Sequence, residues 1–286
     1  MARDALKKLV IFGDPQKGEV SEVIAEFVKF VKGKAEITDN CNIEECTTEV
    51  LEESDFAVVF GGDGSIISAA RNLSMCNVPV IGVNLGKLGF LAEFSVDELK
   101  NHFDDIVSGK APIESRMMLD CTVTGKGREN FSSKAVNDVF ITAGPPFRMV
   151  ELKISVDGQP LAGCVSDGLV ISTPTGSTAY NLSAGGPILS AKMEAMVIAP
   201  MCPHSLSFRP IVINADSKVE VFGVKVNEGT AVLVDGQAST ALSMNDIVGV
   251  ERSKSEFLVV DNPLRTKWDT LATKLSWAEK PKYKFY

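Results

Sequence analysis

The chain has 286 residues, 45% of them hydrophobic and 23% charged, and its 29 Lys and Arg against 37 Asp and Glu give a net charge of −8. That length suits two domains or one large one, and the acidic balance argues against a nucleic-acid duplex or an anionic membrane as partner. No apolar run approaches the ~20 residues of a membrane span, and residues 1–12 lack the apolar core of a secretory signal, so a cytoplasmic protein is expected.

Residues 8–12 read as a short buried parallel strand that stops at Gly13-Asp14-Pro15. Val20, Val23, Ile24, Phe27, Val28 and Val31 then share one helical face, Glu19, Glu22, Glu26 and Lys29 the other, and Gly33 is placed to end the helix. Residues 56–60 form a second buried strand running into Gly61-Gly62-Asp63-Gly64, 65–72 look helical, and 78–83 form a third strand. This βαβ rhythm predicts a parallel sheet covered by helices on both faces. From about Ile113 the pattern changes. Residues 151–156 alternate with period two and meet Asp157-Gly158, a hairpin signal. Strand-like runs follow at 169–172, 210–214, 218–224, 230–234 and 257–260, with one candidate helix near 190–196. Trp268, Leu271 and Leu275 at helical spacing predict a tail helix packed against the body, before a charged end. The expected organisation is an α/β domain over 1–108, joined by the tail 265–286, and a β-rich domain over 109–264. The 6 cysteines are scattered without a Cys-x-x-Cys pair and are expected to be reduced and mostly buried. His102 and His204 have no second ligand at metal spacing.

Gly61-Gly62-Asp63-Gly64 lies at the carboxyl end of a buried strand and before a helix, where open α/β sheets place ligands. Gly61, Gly62 and Gly64 let the backbone approach a phosphate closely. A carboxylate there needs a task, either holding Mg²⁺ on phosphates or accepting a proton from an attacking hydroxyl; a plain tight turn is the alternative. A P-loop lysine motif and Gly-x-Gly-x-x-Gly are both missing. The glycine-rich stretch 82–89 reads as another loop at the same sheet edge, bringing Phe90 and Leu91 over the site, or as a strand followed by turns. Residues 166–187 join a strand to a loop dense in hydroxyls and glycines, with Tyr180 available to stack on a base or ribose. Asn137 offers a donor–acceptor pair for an adenine edge, and Asp138 offers acceptors for ribose hydroxyls.

Together, Gly61-Gly62-Asp63-Gly64, Gly89-Phe90, Asn137-Asp138 and Asp167-Gly168 followed by Thr173-Pro174-Thr175-Gly176-Ser177-Thr178-Ala179-Tyr180 resemble the NAD kinase family, in order and spacing, from about Lys8 to Asp261. Gly-Gly-Asp-Gly alone is shared with diacylglycerol and sphingosine kinases; the last segment is far more restrictive. The resemblance implies a Rossmann-like N-terminal domain, a β-sandwich-like C-terminal domain, NAD bound between them, and phosphorylation of the adenosine ribose 2′-hydroxyl to give NADP. It implies Asp63 as proton acceptor with Gly64 and Phe90 beside it, and Asn137 and Asp138 holding the adenosine portion. Asp167 would contact the dinucleotide, and Thr175, Thr178, Ala179, Tyr180, Asn181, Leu182 and Ser183 would line its pocket. Arg148, Val165 and Gln237 match further ligand-contacting positions.

By the same resemblance the donor is ATP, another nucleoside triphosphate or polyphosphate. Mg²⁺ or another divalent cation is held mainly through the phosphates, with no residue assigned as its ligand, and the assembly is a homodimer or homotetramer. Two positions depart from the family. Asp138 stands where Glu is usual, shorter by roughly 1.5 Å. Val165 stands where many bacterial members have Arg, which implies some tolerance for NADH. The alternatives are a diacylglycerol-type lipid kinase and a non-catalytic dinucleotide sensor.

Overall fold

β-branched and aromatic runs ended by turns build the first unit, residues 1–114 with 258–286. The computed structural model describes residues 6–277 except 15, 17 and 87, so the charged end anticipated beyond Trp277 lies outside the described residues. The unit contains β1 (Lys7–Phe12), α1 (Gly18–Val31), β2 (Ala35–Cys41), α2 (Thr48–Glu52), β3 (Phe56–Phe60), α3 (Asp63–Cys76), β4 (Val80–Val83) and α4 (Val96–Val107). Its strands are parallel, in the order β2-β1-β3-β4. Alternation along β3 turns Phe56, Val58 and Phe60 into one core with Val20, Ile24 and Phe27 of α1 and Leu99, Phe103 and Ile106 of α4. Phe27 meets Phe60 and Phe103 edge-on at 5.4 and 5.8 Å. α3 covers the opposite face. A Cβ on Gly82 there would stand 2.6 Å from Cδ1 of Ile66 and 2.5 Å from the Leu91 carbonyl, so only glycine admits this approach. Helices on both faces match the expectation from the βαβ rhythm. Gly33, at φ +81, ends α1 as its position predicts.

The second unit, residues 115–257, is built of antiparallel strands. In chain order they are β5 (Ile113–Thr124), β6 (Phe131–Ala135), β7 (Asp138–Thr142), β8 (Val150–Val156), β9 (Gln159–Ser166) and β10 (Gly168–Ser172). A 3₁₀ turn (Thr175–Thr178) and the single turn α5 (Tyr180–Ser183) come next. Then follow β11 (Ala195–Met201), β12 (Ile211–Asn214), β13 (Val219–Lys225), β14 (Ala231–Val234), β15 (Ala238–Ala241) and β16 (Ile247–Val260). One sheet has the order β12-β11-β10-β7-β14-β15; the other runs β16-β13-β8-β9, with β5 on β16 and β6 on β5. Inward residues of the first sheet (Ile141, Ile171, Ile198, Val232) and of the second (Leu119, Leu152, Val221, Val250) fill one core. Two sheets over a shared apolar layer make a sandwich. The β8–β9 hairpin turns at Asp157 and Gly158 with φ +52 and +74, the conformation that an Asp-Gly pair favours.

The last residues of β16 belong to the first unit, where Val259 pairs in parallel with Val80, and α6 (Lys267–Leu275) follows. No helix among the described residues is long and apolar enough to cross a membrane.

Three expectations are corrected. No helix forms over 190–196: 190–194 are turn and coil, and β11 begins at Ala195. Its β-branched Val197 and Ile198 are buried between β10 and β12, so ladder pairing on both sides prevails over local helical spacing. The tail helix forms, but Trp268 is 70% exposed. It is held locally by a capping box between Thr266 and Asp269 rather than by that ring. Finally, only Cys121 and Cys164 are buried; Cys41, Cys46 and Cys76 are half-buried, Cys202 is exposed, and all are free thiols. The exceptions sit at element ends or in turns, where packing is incomplete.

Candidate active site

β3 is buried along its whole length and delivers Gly61 and Gly62 to the carboxyl edge of the parallel sheet, where α3 starts at Asp63. Gly62 brings no side-chain cap to that helix, so the positive end of the helix faces the edge. A cavity of about 620 Å³ opens here, bordered by Asp14, Glu19, Gly61, Gly62, Ser65 and Gly86. Backbone amides and a helix N-terminus beside an open cavity suit a phosphate chain.

The Asp63 carboxylate is gripped by the backbone of the second glycine-rich segment. Its Oδ2 accepts the Phe90 N–H at 2.9 Å, and its Oδ1 accepts those of Leu91 at 2.9 Å and Ala92 at 3.1 Å. A carboxylate offers about four lone-pair positions, so one remains, on Oδ2. Gly89 is required for this embrace, since a Cβ there would lie 2.0 Å from Asp63 Oδ1. Gly61-Gly62-Asp63-Gly64 and Gly89-Phe90 are therefore brought together, and Asp63 is held in one orientation.

In the second unit Asp138 opens β7 and Asn137 immediately precedes it. The Asn137 carbonyl accepts the Thr173 N–H at 2.8 Å and the Ser172 hydroxyl at 3.2 Å, while its side-chain amide makes no hydrogen bond among the described residues. Asp138 is 3% exposed. Burial, then the neighbouring Asp235 charge, push its carboxyl up to about 7, against the pull of the Tyr180 N–H that it accepts. The hydroxyl-rich loop lies against these two residues: a Cβ on Gly176 would be 2.1 Å from the Asn137 carbonyl oxygen. Thr178 donates to the Thr175 carbonyl. Tyr180, half-exposed, meets Phe140 edge-on at 4.8 Å. Asn181 ties the loop together, donating to the Ser177 and Pro187 carbonyls at 3.1 Å. Two buried polar atoms there, Thr175 Oγ1 and Asn181 Oδ1, have no hydrogen-bond partner among the described residues. Ala179 and Leu182 are half-buried and Ser183 exposed.

Arg148, Val165 and Asp167 gather at a different place, where β8 begins and β9 ends: Val150 pairs with Ser166, and the Ala143 N–H donates to the Asp167 carbonyl. All three are exposed. The Arg148 carbonyl accepts from the Asn227 side chain. Gln237 is exposed beyond β14, its N–H on the Val234 carbonyl.

Reading the sequence misses three participants. They are the donors of residues 90–92, the close approach of Gly176 to Asn137, and Asp235. Asp235 and Gly236 both have positive φ (+53 and +65), so the Asp-Gly pair signals a turn and nothing more.

A family model described as the ATP-NAD kinase N-terminal domain matches residues 14–111, and one described as the ATP-NAD kinase C-terminal domain matches residues 136–262. The NAD kinase of Geotalea daltonii is 34% identical over 285 residues, spanning 96% of this chain and 100% of the relative. That of Geobacter sulfurreducens is 42% identical over 79% of this chain and 80% of its own length. Among solved structures, yeast NADH kinase complexed with NADH superposes with a TM-score of 0.85 at 25% identity, covering 99% of this chain and 91% of that one. An NAD kinase from Archaeoglobus fulgidus in complex with ATP shares the fold, with a TM-score of 0.77, 24% identity and coverage of 95% and 99%. With both domain models matched, and relatives above 30% identity along almost the entire length, the chain belongs to the NAD kinase family.

Proposed function

We propose that this NAD kinase transfers the terminal phosphoryl group of ATP to the 2′-hydroxyl of the adenosine ribose of NAD, giving NADP. The family names the reaction and its donor class. The observation that supports the residue roles best is the Asp63 carboxylate, fixed by three backbone donors with one acceptor position left on Oδ2 and adjoining the Gly61-Gly62 turn that borders the cavity. A ribose hydroxyl is a weak nucleophile, and its attack on phosphorus is limited by charge and positioning. Asp63 Oδ2 would accept the 2′-hydroxyl hydrogen, aim its oxygen and take the proton as the oxygen–phosphorus bond forms and ADP departs. Amides of the Gly61-Gly62 turn and the start of α3 would face the triphosphate. In the second unit, Asn137 and Asp138 would hold the adenosine portion, Thr175 and residues 178–183 would line the dinucleotide pocket, and Asp167, Arg148, Val165 and Gln237 would supply further contacts.

No group of three or more His, Cys, Asp or Glu among the described residues is arranged to hold a metal ion. A divalent cation would arrive on the triphosphate, with Asp14 and Glu19 as the carboxylates bordering the cavity; it would neutralise phosphate charge. NADH as a second acceptor is supported by the exposed Val165 in the place of a cation and by the yeast neighbour's name, NADH kinase. A homodimer or homotetramer is the proposed assembly, and the cytoplasm the proposed location. The lipid-kinase and sensor readings are set aside, because relatives along the whole chain are NAD kinases.

The test is a coupled assay: purified protein, NAD, ATP and Mg²⁺, with an NADP-specific dehydrogenase as reporter. NADP should form. No NADP with ATP, other triphosphates or polyphosphate would overturn the reaction.

A further inference from the structure

All six backbone N–H and C=O groups of Val136, Asn137 and Asp138 are bound, and three residues bind them. Asp235 Oδ2 accepts the Val136 N–H at 2.9 Å, and its Oδ1 accepts those of Asn137 at 2.8 Å and Asp138 at 3.1 Å. The N–H of Asp235 returns a bond to the Asp138 carbonyl at 2.9 Å. On the other side, the Thr173 hydroxyl donates to the Val136 carbonyl at 2.6 Å, and Ser172 and Thr173 together hold the Asn137 carbonyl. Gly176 closes over the same carbonyl with no room for a side chain. The Asn137 amide, carried by this immobilised backbone, has no partner among the described residues. A rigid main chain that presents an unpaired amide is arranged to read a ligand edge without an ordering penalty on binding.

We infer that Asp235 is a positioning residue: by collecting three successive N–H groups it fixes the Asn137 amide and the Asp138 carboxylate in the one orientation that receives the adenosine portion of the dinucleotide. The inference rests on the proposed adenosine role of Asn137 and Asp138. Bonds from an anionic acceptor to backbone donors are the stronger kind, and no charge of the opposite sign could make them. Asp235 accepts from the backbone of this segment, so its effect is expected first in the binding of NAD.

The test uses the full-length enzyme in three variants. In Asp235→Asn an amide donor replaces one oxygen and faces an N–H. Gly176→Ala would press the Asn137 carbonyl from the other side, and Asn137→Ala removes the reading amide. Expected for Asp235→Asn and Gly176→Ala is a rise in KM for NAD of about tenfold or more, with kcat within about threefold and KM for ATP unchanged, the pattern of lost uniform binding. Thermal melts identify folded variants, and if Asp235→Asn does not fold, Gly176→Ala carries the test. An unchanged KM for NAD in a folded variant, or a fall in kcat and both substrates' affinities together, overturns the positioning role. If Asn137→Ala leaves KM for NAD unchanged, the adenosine assignment itself fails, which is distinguishable from failure of Asp235 alone.

Discussion

Two carboxylates, one in each unit, make the same contact for opposite purposes. Asp63 gathers the N–H groups of residues 90–92, and Asp235 gathers those of residues 136–138. In the proposed reading, the carboxylate of the first unit is the reagent and the backbone its holder. In the second the carboxylate would be the holder, and the residues it holds would meet the ligand. The burial of the neighbours differs accordingly. Asp63 is half-buried at the start of α3, whereas Asp235, equally half-buried, stands next to the buried Asp138 and raises its proton affinity. One geometry, a carboxylate over three consecutive amides, would thus serve catalysis in one unit and recognition in the other, depending on which side of the contact meets the ligand.

The comparison breaks first if Asp63 is not the reagent. Asp63→Asn should keep NAD binding, measured by calorimetry, while kcat falls by about a hundredfold or more; turnover near wild type would remove its role as proton acceptor. A smaller loss tests the holder. Gly89→Ala places a Cβ against Asp63 Oδ1 and should lower kcat by roughly tenfold to a hundredfold with KM for NAD little changed, because misplacement by about 1 Å is felt at the reacting atom; unchanged kcat would show that the grip is dispensable.

The third prediction concerns Asp138. Its folded carboxyl titrates near 7 and its unfolded one near 3.9, so between these values the folded state binds more protons. Stability is intact below about pH 4, is lost progressively as pH rises to about 7, and is level beyond. Asp138→Asn should cancel this slope, gaining stability over wild type at pH 8 relative to pH 4 by an upper limit of ~4 kcal/mol. Denaturant melts at both pH values check the sign, and a gain at pH 4 instead would refute the buried-acid account. The smallest effect is expected at Val165, 40% exposed on β9. The enzyme should turn over NADH as well as NAD, and Val165→Arg should lower the NADH-to-NAD ratio of kcat/KM several-fold, a surface-charge effect of about 1 kcal/mol; absence of any NADH turnover would dispose of it.

How much was legible follows physical range. Local signals read correctly: the amphipathic period of α1, the buried run of β3 ending in glycines, and the Asp157-Gly158 turn all depend on residues within a few positions of each other. The helix read over 190–196 failed because strand pairing partners decide the fate of a short apolar run, and the burial read for most cysteines failed because packing is set by distant elements. The glycine motifs located Asp63 but could not reveal its holder, since a carboxylate bonding to main chain 27 to 29 residues away leaves no mark on side-chain identity.

The sequence by itself determined the two-part architecture, the family and the residue types able to do the chemistry, because periodicity, turn chemistry and short motifs are written in neighbouring side chains. Only the tertiary structure decided which oxygen of Asp63 remains open, why Gly89 and Gly176 tolerate no side chain, and that Asp235 reaches back 97 to 99 residues to immobilise the segment carrying Asn137. The physical reason is that backbone amides are alike along any chain, so their partners are chosen by folding and not by spelling.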